Sequence, residues 1–308
     1  MCRTVSLLLI TFICTTQLSD AAFERIQLSA RSIGIGGASV ALTSGADSVS
    51  QNVAGLTVDL YDPELALSYL ELYGLLHYNA IFAAIPILPN NRQESALGLH
   101  LTSSTDKSGA YQELEMGCAV GRQISSLTYL GFGFSYLTSQ ANLGIIQVGT
   151  GRGFSMDVGI QHRLANQKVV VGASIAHLLS YIDYDRKQIE GTKSRQYTEK
   201  LSPHIRLGGI MSLDLLFSQL HFPEYRFITP TLKKTVIALE LAGRRFSLGL
   251  ESEVQNGCLR FGYRYNGGLD QGVCAGFGYK FHQFKIDYSW ANGHFGTSSH
   301  LVSITLRL

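Results

Sequence analysis

The sequence predicts an all-β chain closed into a transmembrane antiparallel barrel of about 14 strands, with an N-terminal hatch or plug segment. Three observations predict it. The first is alternation, since a strand in lipid shows apolar residues on one face and small or polar ones on the other. In Phe154-Ser155-Met156-Asp157-Val158-Gly159-Ile160 every even residue is apolar, and Leu259-Arg260-Phe261-Gly262-Tyr263-Arg264-Tyr265 alternates in the same way. Val273 to Phe281, Phe284 to Trp290 and Val302 to Leu308 repeat the pattern. The second is composition. Of 308 residues only 16% are charged and 45% are hydrophobic, with 32 Gly, 15 Tyr, 15 Phe and 6 Pro; an average soluble domain carries roughly 25% charge. The third is that no stretch after the leader approaches the ~20 uninterrupted apolar residues of a spanning helix.

These numbers also exclude. Disorder needs a polar, highly charged chain, and a net charge of +2 offers no clustered basic charge for nucleic acid. A soluble β-sandwich alternates too, but its polar face carries more charge and less Gly than these segments do.

Residues 1–21 read as a cleaved signal peptide. Arg3 supplies the positive end, Val5 to Cys14 the apolar core, and Ser19-Asp20-Ala21 the small-residue cleavage site. Phe12 and Ile13 are bulky where lipidation of Cys14 needs small residues. Cleavage leaves Cys118, Cys258 and Cys274, an odd and widely spaced set that is no disulfide framework. No Cys or His group has zinc spacing, so no metal or cofactor is expected.

Residues 22–63 form the hatch segment and 64–308 the barrel. Strands are expected at 64–73, 75–87, 95–104, 111–123, 127–138, 152–164, 168–180, 201–213, 235–243, 245–254, 258–266, 272–281, 284–292 and 300–308. With a periplasmic N-terminus, links after even strands should be short and links after odd strands long, as at 105–110, 139–151, 181–199 and 293–299. Two links break the rule: Gly243-Arg244 is tight, and 214–234 is long enough for a periplasmic helix or an extra strand.

Within the hatch, Ala30 to Leu42 is apolar and Gly-rich, with Gly34, Gly36 and Gly37. Ser44-Gly45-Ala46-Asp47 is expected to cap a short helix running to Gln51, and Asn52-Val53-Ala54-Gly55-Leu56 to turn after it. Gly34-Ile35-Gly36 is not a dinucleotide loop, because Ser39 stands where the third glycine belongs and no strand-loop-helix frame follows. A segment of this size suits a plug, since a barrel of about 14 strands is too wide for side chains alone to fill.

Ala30-Arg31-Ser32-Ile33-Gly34-Ile35-Gly36-Gly37-Ala38-Ser39-Val40-Ala41 resembles the opening of PorV/PorQ-type outer-membrane barrels, relatives of the FadL hydrophobic-compound transporters. In that opening a short acidic helix and an Asn-Pro-Ala-Gly-Leu turn follow; Asp47 matches the helix, and Asn52, Ala54, Gly55 and Leu56 the turn. The segments around Pro203, Tyr263, Tyr279 and Tyr288 and the run from His300 to Leu308 are similar too. Val53 departs from the family's proline, and Leu308 from its terminal aromatic. The resemblance implies a hatch-plugged barrel in the bacterial outer membrane, in contact with membrane lipid and inserted by the barrel-assembly machinery. It further implies transport of a hydrophobic ligand such as a long-chain fatty acid, or, alternatively, a scaffold that holds a secreted protein through its outside loops. Loop 181–199, with Arg186, Lys187, Lys193 and Arg195, would serve the scaffold.

The inward-facing parity carries Glu115, Asp157, Arg163, Arg206, Glu240, Arg245, Glu251, Arg260, Arg264, Lys285 and Asp287. Such charges are expected to pair across strands or line water. Arg206, Arg260, Arg264 and Asp287 are the candidate lumen contacts to a ligand, because Arg260 and Arg264 share a face that can clamp a carboxylate. No enzyme is expected: Ser298, Ser299 and His300 adjoin, but no acid or motif supports them.

Overall fold

The computed structural model describes residues 22–87, 95–164, 168–187, 195–219, 234–266, 271–293 and 296–308. The expected signal peptide, the tip of loop 181–199 with Lys193, and most of link 214–234 lie outside the described residues.

Among the described residues fifteen strands follow the hatch: β1 Glu64–Leu72, β2 Leu76–Ile87, β3 Ser95–Asp106, β4 Tyr111–Ser125, β5 Thr128–Leu143, β6 Ile146–Leu164, β7 Val169–Arg186, β8 Arg195–Glu199, β9 His204–Ser212, β10 Thr235–Ala242, β11 Arg245–Val254, β12 Gly257–Asn266, β13 Gly272–Phe281, β14 Phe284–Asn292 and β15 Ser298–Arg307. Neighbours in sequence pair antiparallel, β1 pairs with β15 from Glu64↔Arg307 to Glu71↔His300, and the ring closes. β8 and β9 pair with successive parts of β7, so they are two pieces of one stave and the closed barrel has 14.

The alternation is resolved as expected. Phe261, Tyr263, Val273, Phe277, Tyr279 and Ile286 stand exposed on the outer surface, while Cys274, Arg260, Ser289 and Asp287 between them are buried inside. No helix among the described residues is long and apolar enough to cross a membrane.

The wall is uneven. β5, β6 and β7 run for 16, 19 and 18 residues, well beyond the ~9–11 that span a bilayer. The expected long links 139–151 and 181–199 are therefore mostly strand. The β5–β6 hairpin turns at Gly144 (φ 61), and β8 pairs with the upper part of β7. Once two strands pair, extending the ladder satisfies each polar backbone group, which the polar composition of these stretches hides. After β9 the chain enters a helix at Leu213–Gln219, the first of the two options for that link.

The hatch threads the lumen as a helix α1 (Ala30–Gly34), a 3-10 turn (Gly45–Asp47), a helix α2 (Ser48–Gln51) and a 3-10 turn (Val53–Thr57). Leu28, Ile33, Val49, Val53 and Leu56 pack on Leu70, Phe82, Ala84, Ala96, Ala119 and Leu301 of the wall. Fully burying such a Leu, Ile or Val side chain is worth roughly 1.5–3 kcal/mol, so this interface alone binds the plug firmly.

Glycines of the wall admit the plug's backbone. A Cβ at Gly172 would lie 2.6 Å from Val40 O, one at Gly249 2.5 Å from Ile35 O, and one at Gly262 would run into Gly36 N. The reverse fit holds at Gly36, whose φ of +70 favours glycine and whose Cβ would lie 2.8 Å from Tyr263 N. We expect Gly262→Val to leave the barrel closed but unseat α1 and its flanks, through an overpacking cost of about 1–3 kcal/mol. Limited trypsin digestion checks this: cleavage after Arg31 should appear in the variant and not in the wild type.

Candidate functional site

Three charge clusters fix the hatch to the wall. In the first, Arg25 bonds Glu115 on β4 (3.1 Å) and Asp157 on β6 (2.5 Å), and His100 Nε2 joins Glu115 Oε1 at 3.1 Å. In the second, Arg206 on β9 donates from Nε and Nη2 to the two oxygens of Glu240 on β10 (2.7 and 2.9 Å). Glu240 Oε2 also accepts the backbone N–H groups of Ser39 (2.9 Å) and Val40 (2.8 Å). Arg206 in turn donates to Gln51 O (3.0 Å) and Ser39 Oγ (2.9 Å). In the third, Glu251 on β11 accepts from Arg31 Nη2 (2.6 Å) and Arg260 Nε (2.7 Å), and Arg260 Nη1 reaches Asp287 on β14 at 2.7 Å. Gly276 and Gly278 stand on β13 between Arg260 and Asp287, and the missing side chains open that reach across a strand.

The hatch residues named from sequence are engaged one by one. Gln27 Nε2 donates to Gly37 O (2.9 Å), and Gly34 lies against Arg260 and Gly276. Asn52 Nδ2 donates to Val40 O (2.7 Å) and Ile160 O (3.3 Å), while its Oδ1 accepts Ala54 N–H (3.2 Å). The turn at Val53 and Gly55 thus forms without proline, because Asn52 caps it. Asp47 is a correction. It makes no side-chain cap on α2 and instead accepts from Ser29 Oγ at 2.8 Å, the two segments crossing inside the lumen. Burial raises the Asp47 carboxyl above its ordinary range, and Lys285 offsets this only in part.

Arg206, Arg260 and Asp287 are buried and satisfied within these clusters. Arg264 stands apart and donates to the Tyr73 hydroxyl at 3.3 Å. Arg25, Arg31, Gln27 and Ser39 were not singled out from the sequence. The available signal was the two arginines of the hatch segment, Arg25 and Arg31, which must meet acids wherever they are buried.

Above the first cluster, where β4 to β8 rise highest, lies a pocket of about 550 Å³ walled by Tyr111, Tyr184 and Tyr197, with Ala141, Val148 and Gly149 beside them and Ala22 lining it. Tyr184 and Tyr197 stack at 5.0 Å between centroids. A Cβ on Gly149 would meet nothing nearer than 3.7 Å, so this glycine leaves open volume. Phe23 and Leu201 pack with Leu137 and Ile182 alongside it. There the barrel ladder is interrupted: residues 200–203 separate β8 from β9, and Ser180 Oγ replaces the ladder by donating to Leu201 O (3.2 Å) and accepting Leu201 N–H (3.1 Å).

Neither a protein-family model nor a curated protein matches the chain. Solved structures do. The CymD monoaromatic hydrocarbon channel superposes with a TM-score of 0.61 at 14% identity, covering 93% of this chain and 99% of that one. The P. putida toluene transporter TodX gives 0.59 at 12% identity, over 92% and 98%. A Pseudomonas aeruginosa FadL homologue gives 0.54 at 9% identity, over 90% and 97%. At these identities the likeness is one of fold: this chain has the antiparallel barrel fold of these channels.

Two outcomes follow. Glu240→Leu leaves Arg206 buried without its partner and two hatch N–H groups without an acceptor, so urea unfolding should show a loss of about 3–5 kcal/mol. Asp47, whose folded pKa is raised, supports the fold while protonated and loses that contribution as pH climbs through the folded pKa. Asp47→Asn should therefore match the wild type at acid pH and exceed its stability at neutral pH, measured by unfolding from pH 4 to pH 8.

Proposed function

We propose that this protein is an outer-membrane channel that moves hydrophobic compounds, long-chain fatty acids or chemically similar molecules, across the bacterial outer membrane. The observation that carries the reading is the tyrosine-walled pocket seated on a sealed plug inside a lipid-facing barrel. An open porin needs a clear lumen, whereas here apolar packing and three ion clusters fill it. A ligand pocket is concave and mostly apolar with a few placed polar groups, and about 550 Å³ between three tyrosines fits that description. The interrupted ladder beside the pocket, closed by Phe23, Leu201 and the Ser180 hydroxyl, supplies a lateral way out. The solved barrels named above, a hydrocarbon channel and a toluene transporter, support cargo of the hydrophobic class. Export through a cleaved signal peptide and insertion by the barrel-assembly machinery belong to the same reading.

The test is transfer of a labelled long-chain fatty acid into liposomes holding the purified barrel. Saturable transfer is expected, and Gly149→Phe, which fills the pocket away from the three ion clusters, should lower it severalfold while leaving thermal unfolding unchanged. A folded barrel that transfers nothing above empty liposomes overturns this reading in favour of the PorV-like scaffold, whose readout is co-purification of a secreted protein.

A further inference from the structure

One of the three lumen clusters is short of a cation. Glu240 has Arg206 and Arg245, and Glu251 with Asp287 shares Arg31, Arg260 and Lys285. Around Arg25, by contrast, Glu115 and Asp157 share one guanidinium with His100 beside Glu115, and Glu113 stands two residues from Glu115 on the same strand. Glu113 is the carboxylate left over. Among the described residues no Lys, Arg or His lies within ion-pair distance of it; its oxygens take the Phe23 N–H at 2.8 Å and the Ser104 hydroxyl at 3.3 Å, and the Tyr111 hydroxyl also donates to it. Phe23 itself is 6% exposed, wedged against Leu137, Ile182 and Leu201.

The nitrogen next to that of Phe23 is Ala22's, one peptide unit (~3.8 Å between Cα atoms) up the chain. Ala22 is also the residue that follows the small-residue cleavage site Ser19-Asp20-Ala21, and it lines the tyrosine pocket. What stands on its nitrogen therefore decides the charge beside Glu113.

We propose that hydrolysis of the Ala21–Ala22 peptide bond supplies Glu113 with its counter-ion, the α-ammonium group of Ala22. Water adds across the amide, the carboxylate remains on Ala21, and the amine left on Ala22 takes up a proton; with an ordinary pKa of about 7.7–8.0 it is charged at neutral pH. A carboxylate has room for this further donor beside the Phe23 N–H and the Ser104 and Tyr111 hydroxyls. An amide nitrogen in its place carries no charge and leaves a part-buried carboxylate with hydrogen-bond donors but no counter-ion. Processing thus seats the N-terminal segment. The inference rests on the export reading of residues 1–21 and is independent of what the barrel carries.

Two measurements on barrel purified from outer membranes test it. Intact mass should correspond to a chain beginning at Ala22; any other start overturns the proposal. Acylation of the α-amine at neutral pH, located by peptide mapping, should be about tenfold slower in the folded wild type than in Glu113→Gln, the ratio that one pKa unit produces. Equal rates overturn the pairing even when the chain begins at Ala22. Should Glu113→Gln fail to fold, insertion of Gly-Gly between Ala21 and Ala22 moves the amine away from Glu113 and should restore the rate of the urea-unfolded chain. A protected rate in that insertion overturns the pairing as well. Neither readout requires transport, so failure of the fatty-acid assay leaves this result standing, and the reverse.

Discussion

The carboxylate of Glu240 is where the barrel and its plug become one structure. Its two oxygens gather Arg206 from the neighbouring stave and two backbone N–H groups from the hatch. A carboxylate so deeply buried is tolerable only when every lone pair it presents is met. The barrel supplies the cations Arg206 and Arg245; the backbone donors come from Ser39 and Val40. Wall and plug therefore specify each other, and the same logic recurs at Glu251 with Arg31 and at Asp157 with Arg25.

Close packing makes this possible. Backbone at the Ile35–Gly36 and Val40 positions approaches the wall where it carries Gly262, Gly249 and Gly172. Elsewhere the wall offers Ala66, Ala80, Ala84, Ala96 and Ala119. Small inward residues are thus the mould of the plug, and large outward ones face lipid. Where the wall rises beyond the plug, at β5 to β8, the same economy of side chains at Gly149 and Ala141 leaves a pocket in place of a contact. Seal and pocket are two results of one pattern, glycine and alanine on the inner parity, distinguished by how much of the hatch reaches that height: only its first residues, Ala22 and Phe23, meet the pocket.

Some of this was legible in the residues. Parity assigned Asp157, Glu240, Glu251, Arg260 and Asp287 to the lumen, and all are buried there. The Asn52 turn was placed correctly, but Asp47 was given to a helix cap when its partner is Ser29, eighteen residues back in the chain. A capping motif is local, while a contact between two crossing hatch segments is not, and only the latter exists in the folded chain. Stretch 181–199 misled for a related reason. Its polar residues suit a loop, yet Tyr184 and Tyr197 stack across a strand pair to build the pocket wall.

The sequence by itself determined the class of fold and the outward and inward faces of the strands whose alternation it displays, β6 and β12 to β15. Those depend on period-two alternation and composition, which any stretch of strand displays without its neighbours. Tertiary structure alone decided which acid meets which base, which glycines touch the plug, and where the pocket opens. Arg25 finds Asp157 across 132 residues and Arg31 finds Glu251 across 220. No local rule reaches that far: closure of the ring sets the diameter, the diameter sets how the hatch must coil, and the coil sets every partner.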